Sequence, residues 1–144
     1  MGKRREGREA AVQFLVFCDL NQGSDAKSAA EFWELRPATK GIRDFALPLV
    51  EGVLRHRPEV DERISRYAEN YELGRLAVVD RNILRLAIYE MLFRHDIPPV
   101  VSINEAIEIA KRFGTEESSR FVNGILDRVK LDLNRPLRTA EPQT

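Results

Sequence analysis

Cysteine and histidine are scarce in this sequence, which has one Cys and two His among 144 residues. A single cysteine excludes an internal disulfide, and we interpret Cys18 as a small buried side chain, since unpaired cysteine is among the most often buried residue types. His56 and His95 lie far apart and offer no zinc-ligand spacing. The sequence therefore predicts neither a metal site nor a cofactor.

Long apolar runs are also missing, and 32% of the residues are charged. No uncharged apolar stretch approaches the roughly 20 residues that a membrane-spanning helix requires. The N-terminus is basic, but no apolar signal core follows it. These absences argue against a membrane or secreted protein and predict a cytoplasmic protein of one domain.

Neither charge sign is in excess, because 23 basic residues balance 23 acidic ones. This balance argues against a protein that coats nucleic acid without specificity. It leaves room for a local basic patch, and one stands at the start of the chain, interrupted by Glu6. Its members are Lys3, Arg4, Arg5 and Arg8. Taken alone, so short a run is more typical of a solvated chain end than of a binding site.

Recognisable catalytic motifs are absent as well. The glycines at positions 41, 52, 74 and 114 are isolated, so they form no phosphate-binding loop, and no G-x-S-x-G motif occurs. Nearly all the acidic residues fall on the polar faces of predicted helices. A fold could still bring two carboxylates together, but the sequence favours a protein that is not an enzyme.

What the sequence does contain is helical periodicity along almost its whole length. Apolar residues recur at spacings of three and four, and over residues 80–94 the stripe is wide enough for a central, buried helix. No strand pattern competes. We predict an all-α, single-domain bundle of about six or seven helices over residues 1–134. The polar segment 135–144, with two prolines, is expected to be disordered.

Several residues predict where these helices begin and end. Asp80 is a natural N-cap, and Ser102 with Glu105 has the spacing of a capping box. Gly114 predicts a left-handed end to the helix that contains them. Thr115 then caps the last helix.

Two further positions interrupt the helical pattern. Pro48 predicts a kink or a boundary within residues 39–54. Gly124 lies in a strongly helical segment, which indicates a close-packing position or, less favoured, a local kink.

Three stretches of the chain resemble the NusB family of transcription antitermination factors. They are residues 8–15, REAAVQFL, preceded by the basic run; residues 80–90, DRNILRLAIYE; and residues 96–127, which contain INEA, AKRFG and FVNGILD. Order and spacing agree over nearly the whole chain, with least similarity over residues 21–75. The resemblance implies an all-helical fold.

The resemblance also implies a function. Proteins of this family bind the boxA element of nascent RNA, especially in ribosomal RNA leaders, as a heterodimer with NusE, a ribosomal small-subunit protein. The complex joins RNA polymerase and suppresses premature termination. The expected partners are therefore single-stranded boxA-like RNA, NusE and, indirectly, the RNA polymerase elongation complex.

On this resemblance, the RNA-binding residues lie at the start of the chain and at the start of the last helix. They are Lys3, Arg4, Arg5, Arg8, Glu117 and Arg120. Arginine suits this task because its planar fork pairs with phosphate and can stack on bases. The acidic Glu117 would instead restrain RNA affinity by repulsion.

The resemblance places Phe121, Val16 and Asp80 at the contact with NusE. Phe121 fits almost equally well as a core residue of the last helix. Two positions depart from the family pattern. Glu6 stands where relatives often have another basic residue, which weakens the attraction for phosphate. Val16 stands where many relatives have tyrosine, and valine can pack but cannot hydrogen-bond.

Two other functions stay open. A NusB-like domain also precedes the catalytic domain of some ribosomal RNA cytosine methyltransferases, but no methyl-donor domain follows residue 144 here, so a stand-alone factor is preferred. The chain could also be a helical domain that binds other proteins or itself. A homodimer of this kind could bury the arginine-rich surface.

Overall fold

The structure, a computed structural model, describes residues 2–68 and 73–141, and no strand occurs in these two ranges. Their seven α-helices are α1 (Lys3–Leu20), α2 (Ala29–Leu35), α3 (Lys40–Arg55), α4 (Arg57–Tyr67), α5 (Val78–Phe93), α6 (Pro99–Phe113) and α7 (Glu116–Leu131). Short 3₁₀ turns at Ala26–Ser28 and Leu73–Arg75 precede α2 and α5. The prediction of an all-α bundle of six or seven helices is confirmed.

Helix α5 lies at the centre of the bundle, as its broad apolar stripe predicts. It contacts α1, α3, α4, α6 and α7, and every residue from Asn82 to Met91 is buried. Leu84 and Ile88 are fully buried. Burial of each such side chain contributes about 1.5–3 kcal/mol, so α5 forms the core against which these five helices pack.

Three predicted helix boundaries are wrong. Helix α5 begins two residues before Asp80, which therefore lies in the first turn and not at the N-cap. Helix α6 begins at Pro99, whose fixed φ suits a first turn. Ser102 and Glu105 consequently lie inside α6, where they cannot form the predicted capping box. Gly114 ends this helix with φ −99°, so its backbone is not left-handed.

The predicted cap of the last helix is confirmed. Thr115 Oγ1 accepts a hydrogen bond from the backbone N–H of Ser118, and the Ser118 hydroxyl accepts one from the backbone N–H of Thr115. Two orphan donors of α7 are thereby satisfied. Helix α3, in contrast, runs through Pro48 from Lys40 to Arg55, so the proline marks no boundary.

Gly124 does not occupy a close-packing position. It is exposed within α7, and a Cβ placed on it would meet no atom within 4 Å. Close approach between helices occurs at Gly7 and Gly52. A Cβ on Gly7 would lie 2.4 Å from the Phe45 ring, and one on Gly52 would lie 2.1 Å from the Tyr89 ring. These contacts let α1 and α5 pack tightly against α3.

Residues 135–141 are tied to the junction of α5 and α6. The guanidinium of Arg135 donates to four backbone carbonyls there, those of Met91, Arg94, His95 and Ile97. The backbone N–H of Glu141 also donates to the carbonyl of His95. One arginine thereby satisfies carbonyls that the end of α5 leaves unpaired, and the expected disorder of residues 135–144 stays a prediction. Residues 142–144 lie outside the described ranges.

Candidate nucleic-acid and protein interface

The basic run forms the first turns of α1, which begins at Lys3. Lys3 and Arg4 are exposed, and Arg5 is half-buried. Gly2 offers no side-chain cap to the first N–H groups of the helix, and these groups carry the positive end of the helix dipole. Backbone donors and cationic side chains thus lie at the same end of α1, a combination that favours an anion such as phosphate.

Arg8 does not belong to this exposed surface. It is 4% exposed, and its guanidinium donates to both carboxylate oxygens of Glu90 in α5, at 2.9 and 3.2 Å. The Ser102 hydroxyl donates to the same carboxylate at 2.7 Å. A phosphate could reach Arg8 only by breaking this buried pair, which would cost about 3–5 kcal/mol. In this fold Arg8 joins α1 to α5 and α6, and its contact with RNA stays a prediction.

Two ion pairs join α6 to α1, one with its arginine on α1 and the other with its arginine on α6. Arg5 Nε donates to Glu105 Oε2 at 2.6 Å. Arg112 Nη1 donates to both oxygens of the buried Glu9 on α1, at 3.1 and 3.0 Å. The Arg112 side chain is 55% exposed, so it adds a cation to the surface about 10 Å along α6 from Glu105. Sequence reasoning missed Arg112, because an arginine on a polar helix face resembles any solvated residue.

A cleft of about 190 Å³ opens between the start of α5 and the start of α7. Its lining residues are Arg75, Leu76, Ala77, Asp80, Thr115, Glu117, Ser118 and Phe121. Glu117 and Phe121 are four residues apart, which places them on the same face of α7. Three of the predicted contact residues, Asp80, Glu117 and Phe121, thus meet in one place.

Asp80 brings an unpaired acceptor to this cleft. Its Oδ1 is buried and has no hydrogen-bond partner within residues 2–68 and 73–141. An unsatisfied buried acceptor costs about 1–3 kcal/mol, and most buried polar atoms in proteins are satisfied. The oxygen is therefore suited to accept a hydrogen bond from a donor that enters the cleft.

A buried ion cluster fixes one wall of the cleft. Arg81 donates to the backbone carbonyl of Leu73 at 3.2 Å and to Asp19 of α1 at 3.1 Å. Asp19 also accepts from Asn82 and Arg85, each at 2.8 Å. Burial alone would raise the pKa of Asp19, but the hydrogen bond from Asn82 and the charge of Arg85 outweigh it and lower the pKa. The cluster therefore stays charged at neutral pH and holds the turn that contains Leu73.

Besides the residues near the start of α1, two predicted contact residues, Val16 and Arg120, lie outside the cleft lining. Val16 on α1 is half-buried against the core, and Arg120 is exposed on α7. Phe121 packs against the core and also lines the cleft. Arg75 adds a cation that sequence reasoning missed, because it follows the segment where the family resemblance is weakest.

Cys18 is buried, as predicted. Burial raises the pKa of its thiol to about 11, so the thiol is protonated and unreactive at neutral pH. Across the described part of the chain, no three His, Cys, Asp or Glu side chains are grouped so that they could hold a metal ion. The helices of that part are all too short or too polar to cross a membrane.

Comparison with known proteins identifies the family. The NusB family model matches residues 5–130. The transcription antitermination protein NusB of Myxococcus xanthus is 48% identical over 140 residues, which cover 94% of this chain and 100% of that protein. A structure of T. maritima NusB has a TM-score of 0.79 at 42% identity and covers 94% of each chain. A crystal structure of the antitermination factors NusB and NusE in complex with dsRNA has a TM-score of 0.80 at 26% identity, covering 91% of this chain and 98% of that one. The chain therefore belongs to the NusB family.

Proposed function

We propose that this chain is a transcription antitermination factor. It binds boxA-type RNA of nascent ribosomal transcripts together with NusE and so prevents premature termination by RNA polymerase. The observation that carries this proposal is the surface that leads from the basic end of α1, past Arg112, to the cleft of Asp80 and Phe121. The M. xanthus relative is a transcription antitermination protein, and the complex of NusB and NusE with dsRNA supports the same assembly here.

The basic end of α1 is the proposed RNA contact. Phosphate groups would bind the cationic side chains of Lys3, Arg4 and Arg5. Further cations are available on α6 at Arg112 and on α7 at Arg120. Phosphate contacts position RNA without reading its sequence. The boxA sequence would therefore be read from the bases of single-stranded RNA, whose edges are accessible.

The cleft is the proposed contact with NusE. Phe121 offers an apolar surface there, and Asp80 offers an unpaired acceptor for a donor from NusE. Val16 could only add packing to this contact. Glu117 is exposed beside the cleft, and its charge would repel phosphate and restrain RNA affinity.

The protein acts by binding and not by catalysis in this proposal. It works in the cytoplasm without a cofactor, and residues 1–134 form its RNA-binding domain. The buried carboxylates of Glu9 and Glu90 each accept hydrogen bonds from an arginine on another helix. Such pairing suits a structural role better than acid–base chemistry.

Binding to a labelled boxA-like RNA and to a scrambled RNA tests the proposal. We would measure fluorescence anisotropy with and without NusE, at two salt concentrations, with a duplex RNA as a further arm. Preference for the boxA-like strand, strengthened by NusE, is the expected result. Equal affinity for both RNAs in every condition, or no binding, would contradict the proposal and favour a domain that binds itself or other proteins.

Replacing Arg4 and Arg5 together with alanine should weaken binding of both RNAs to a similar extent, because phosphate is common to them. Each lost phosphate contact on a single strand lowers the slope of log affinity against log salt by about 0.7, so the pair should lower it by up to about 1.4. Arg8 is left in place because it is buried. The control is Arg63→Ala with Arg66→Ala on α4, which removes the same charge. If both double variants bind RNA equally well, the basic end of α1 is not the RNA contact.

Asp80→Asn should weaken NusE binding by about tenfold, since a charge-assisted hydrogen bond to the carboxylate contributes about 1.5–3 kcal/mol. RNA binding without NusE should stay unchanged. Isothermal titration calorimetry with NusE measures the effect, and Asp127→Asn, on an exposed position of α7, is the matched control. If Asp80→Asn bound NusE with wild-type affinity, the cleft would not be the contact with NusE.

A further inference from the structure

Arg5 is a proposed phosphate ligand, yet a carboxylate already binds it. Its Nε donates to Glu105 Oε2 at 2.6 Å, and the two side chains are 32% and 19% exposed. The contact is therefore partly shielded from water, and it joins α1 to α6. The hydrogen bond and the charge of Glu105 also raise the pKa of the Arg5 guanidinium, which favours its charged form.

Carboxylate and phosphate bind arginine in the same way, because both accept charge-assisted hydrogen bonds from the N–H groups of the planar guanidinium. We propose that Glu105 competes with RNA phosphate for Arg5 and thereby limits the affinity of the basic surface for RNA. This inference rests on the proposed function, since it names a regulator of the same RNA contact.

Two other acidic residues, Glu9 and Glu108, also attract the Arg5 guanidinium electrostatically, but each lies close to another cation. Glu9 accepts hydrogen bonds from Arg112 at 3.1 and 3.0 Å, and Glu108 lies 3.5 Å from the ammonium of Lys111. Glu105 contacts the Arg5 guanidinium directly. Removing the charge of Glu105 should therefore make the N–H donors of Arg5 more available to a phosphate.

The competition has a consequence for selectivity. RNA must displace Glu105 from Arg5 or share the guanidinium with it. Phosphate contacts therefore contribute less to the free energy of RNA binding than the number of cations suggests. Binding then depends more on base contacts and on NusE, which a boxA-like RNA uses and a scrambled RNA does not. Glu105 thus favours discrimination between RNAs at the expense of affinity.

Glu105→Gln tests the competition, because it keeps the shape of the side chain and removes its charge. At low salt the affinity for boxA-like and scrambled RNA should rise by about three- to tenfold, and the gain should shrink at high salt as the charges are screened. The scrambled RNA should gain at least as much as the boxA-like RNA. A purely structural role for Glu105 would not produce this salt dependence.

Glu62→Gln is the matched control. Glu62 on α4 also binds an arginine through its carboxylate, Arg66 at 2.7 Å, so this variant removes the same charge and the same kind of ion pair. Its RNA affinity should equal that of the wild type. Both variants should melt close to the wild-type temperature, because both carboxylates belong to ion pairs that are at least partly exposed to water.

The Arg5→Gln background separates competition from a general change of charge. If Glu105 acts through Arg5, adding Glu105→Gln to Arg5→Gln should produce much less gain than it does in the wild type. A full gain in that background would overturn the proposal, and so would a Glu105→Gln affinity equal to or below the wild type. The absence of RNA binding by the wild type itself would instead overturn the proposed function, and the inference with it.

Discussion

Glu90→Leu is expected to lower the free energy of unfolding by about 3–5 kcal/mol, because it leaves the Arg8 guanidinium buried without its counter-charge. Both side chains are almost completely buried, at 5% and 1% exposure. The loss also removes the acceptor of the Ser102 hydroxyl. Urea denaturation followed by circular dichroism measures the change.

The double variant Arg8→Met with Glu90→Leu is the control for this loss. Replacing a whole buried ion pair by apolar side chains is often close to neutral, so the double variant should regain most of the stability lost in Glu90→Leu. Equal instability of the single and double variants would show that packing around Glu90, and not the unpaired charge, causes the loss. RNA affinity of the double variant should match the wild type if Arg8 serves the fold alone.

The burial of Arg8 was accessible to sequence reasoning. The apolar face of α1 includes Ala11, Leu15 and Cys18, and Arg8 stands three residues before Ala11, in the same helical phase. The family resemblance instead assigned Arg8 to the RNA contact along with its exposed neighbours. Helical phase predicts the burial of Arg8, but it does not explain why Arg4, which has the same phase one turn earlier, is exposed at the first turn of α1.

The pairing partners of the basic run could not be predicted from local spacing. Ser102 and Glu105 fit a capping box, but in the structure each binds a residue of another helix. Ser102 completes the pair of Arg8 with Glu90, and Glu105 binds Arg5. A local pattern carries no information on contacts between positions a hundred residues apart, so periodicity predicts that α6 exists and which face it buries, but not what its polar residues bind.

The grouping of residues in the cleft also could not be predicted from local sequence patterns. The family resemblance suggested Asp80, Glu117 and Phe121 separately, and only the fold shows that they line one cleft. Arg75 joins them through a 3₁₀ turn that Arg81 holds by its contact with the carbonyl of Leu73. Neither the turn nor that contact has a signature in the periodicity, because both depend on how the start of α5 packs against α1.

Leu84→Ala is expected to cost about 2–5 kcal/mol, because it removes a fully buried side chain and leaves a cavity. Leu84 lies on α5, the helix that contacts α1, α3, α4, α6 and α7. A cavity there is hard to close, since α5 cannot move toward one neighbour without losing contact with another. Urea denaturation measures the loss, and the RNA affinity of the folded variant should stay close to that of the wild type.

Leu131→Ala is the matched control, since the same side chain is removed from a helical position that is 80% exposed. Its stability should change by no more than about 0.5 kcal/mol, as is usual for surface substitutions. A difference between the two variants chiefly measures what burial in α5 contributes, because the same side chain is removed in both, although Leu131 is the last residue of α7. Equal small losses in both would mean that α5 is not the centre of the core. Equal large losses would mean that a partner or a second copy covers Leu131, and the self-associating alternative would then gain support.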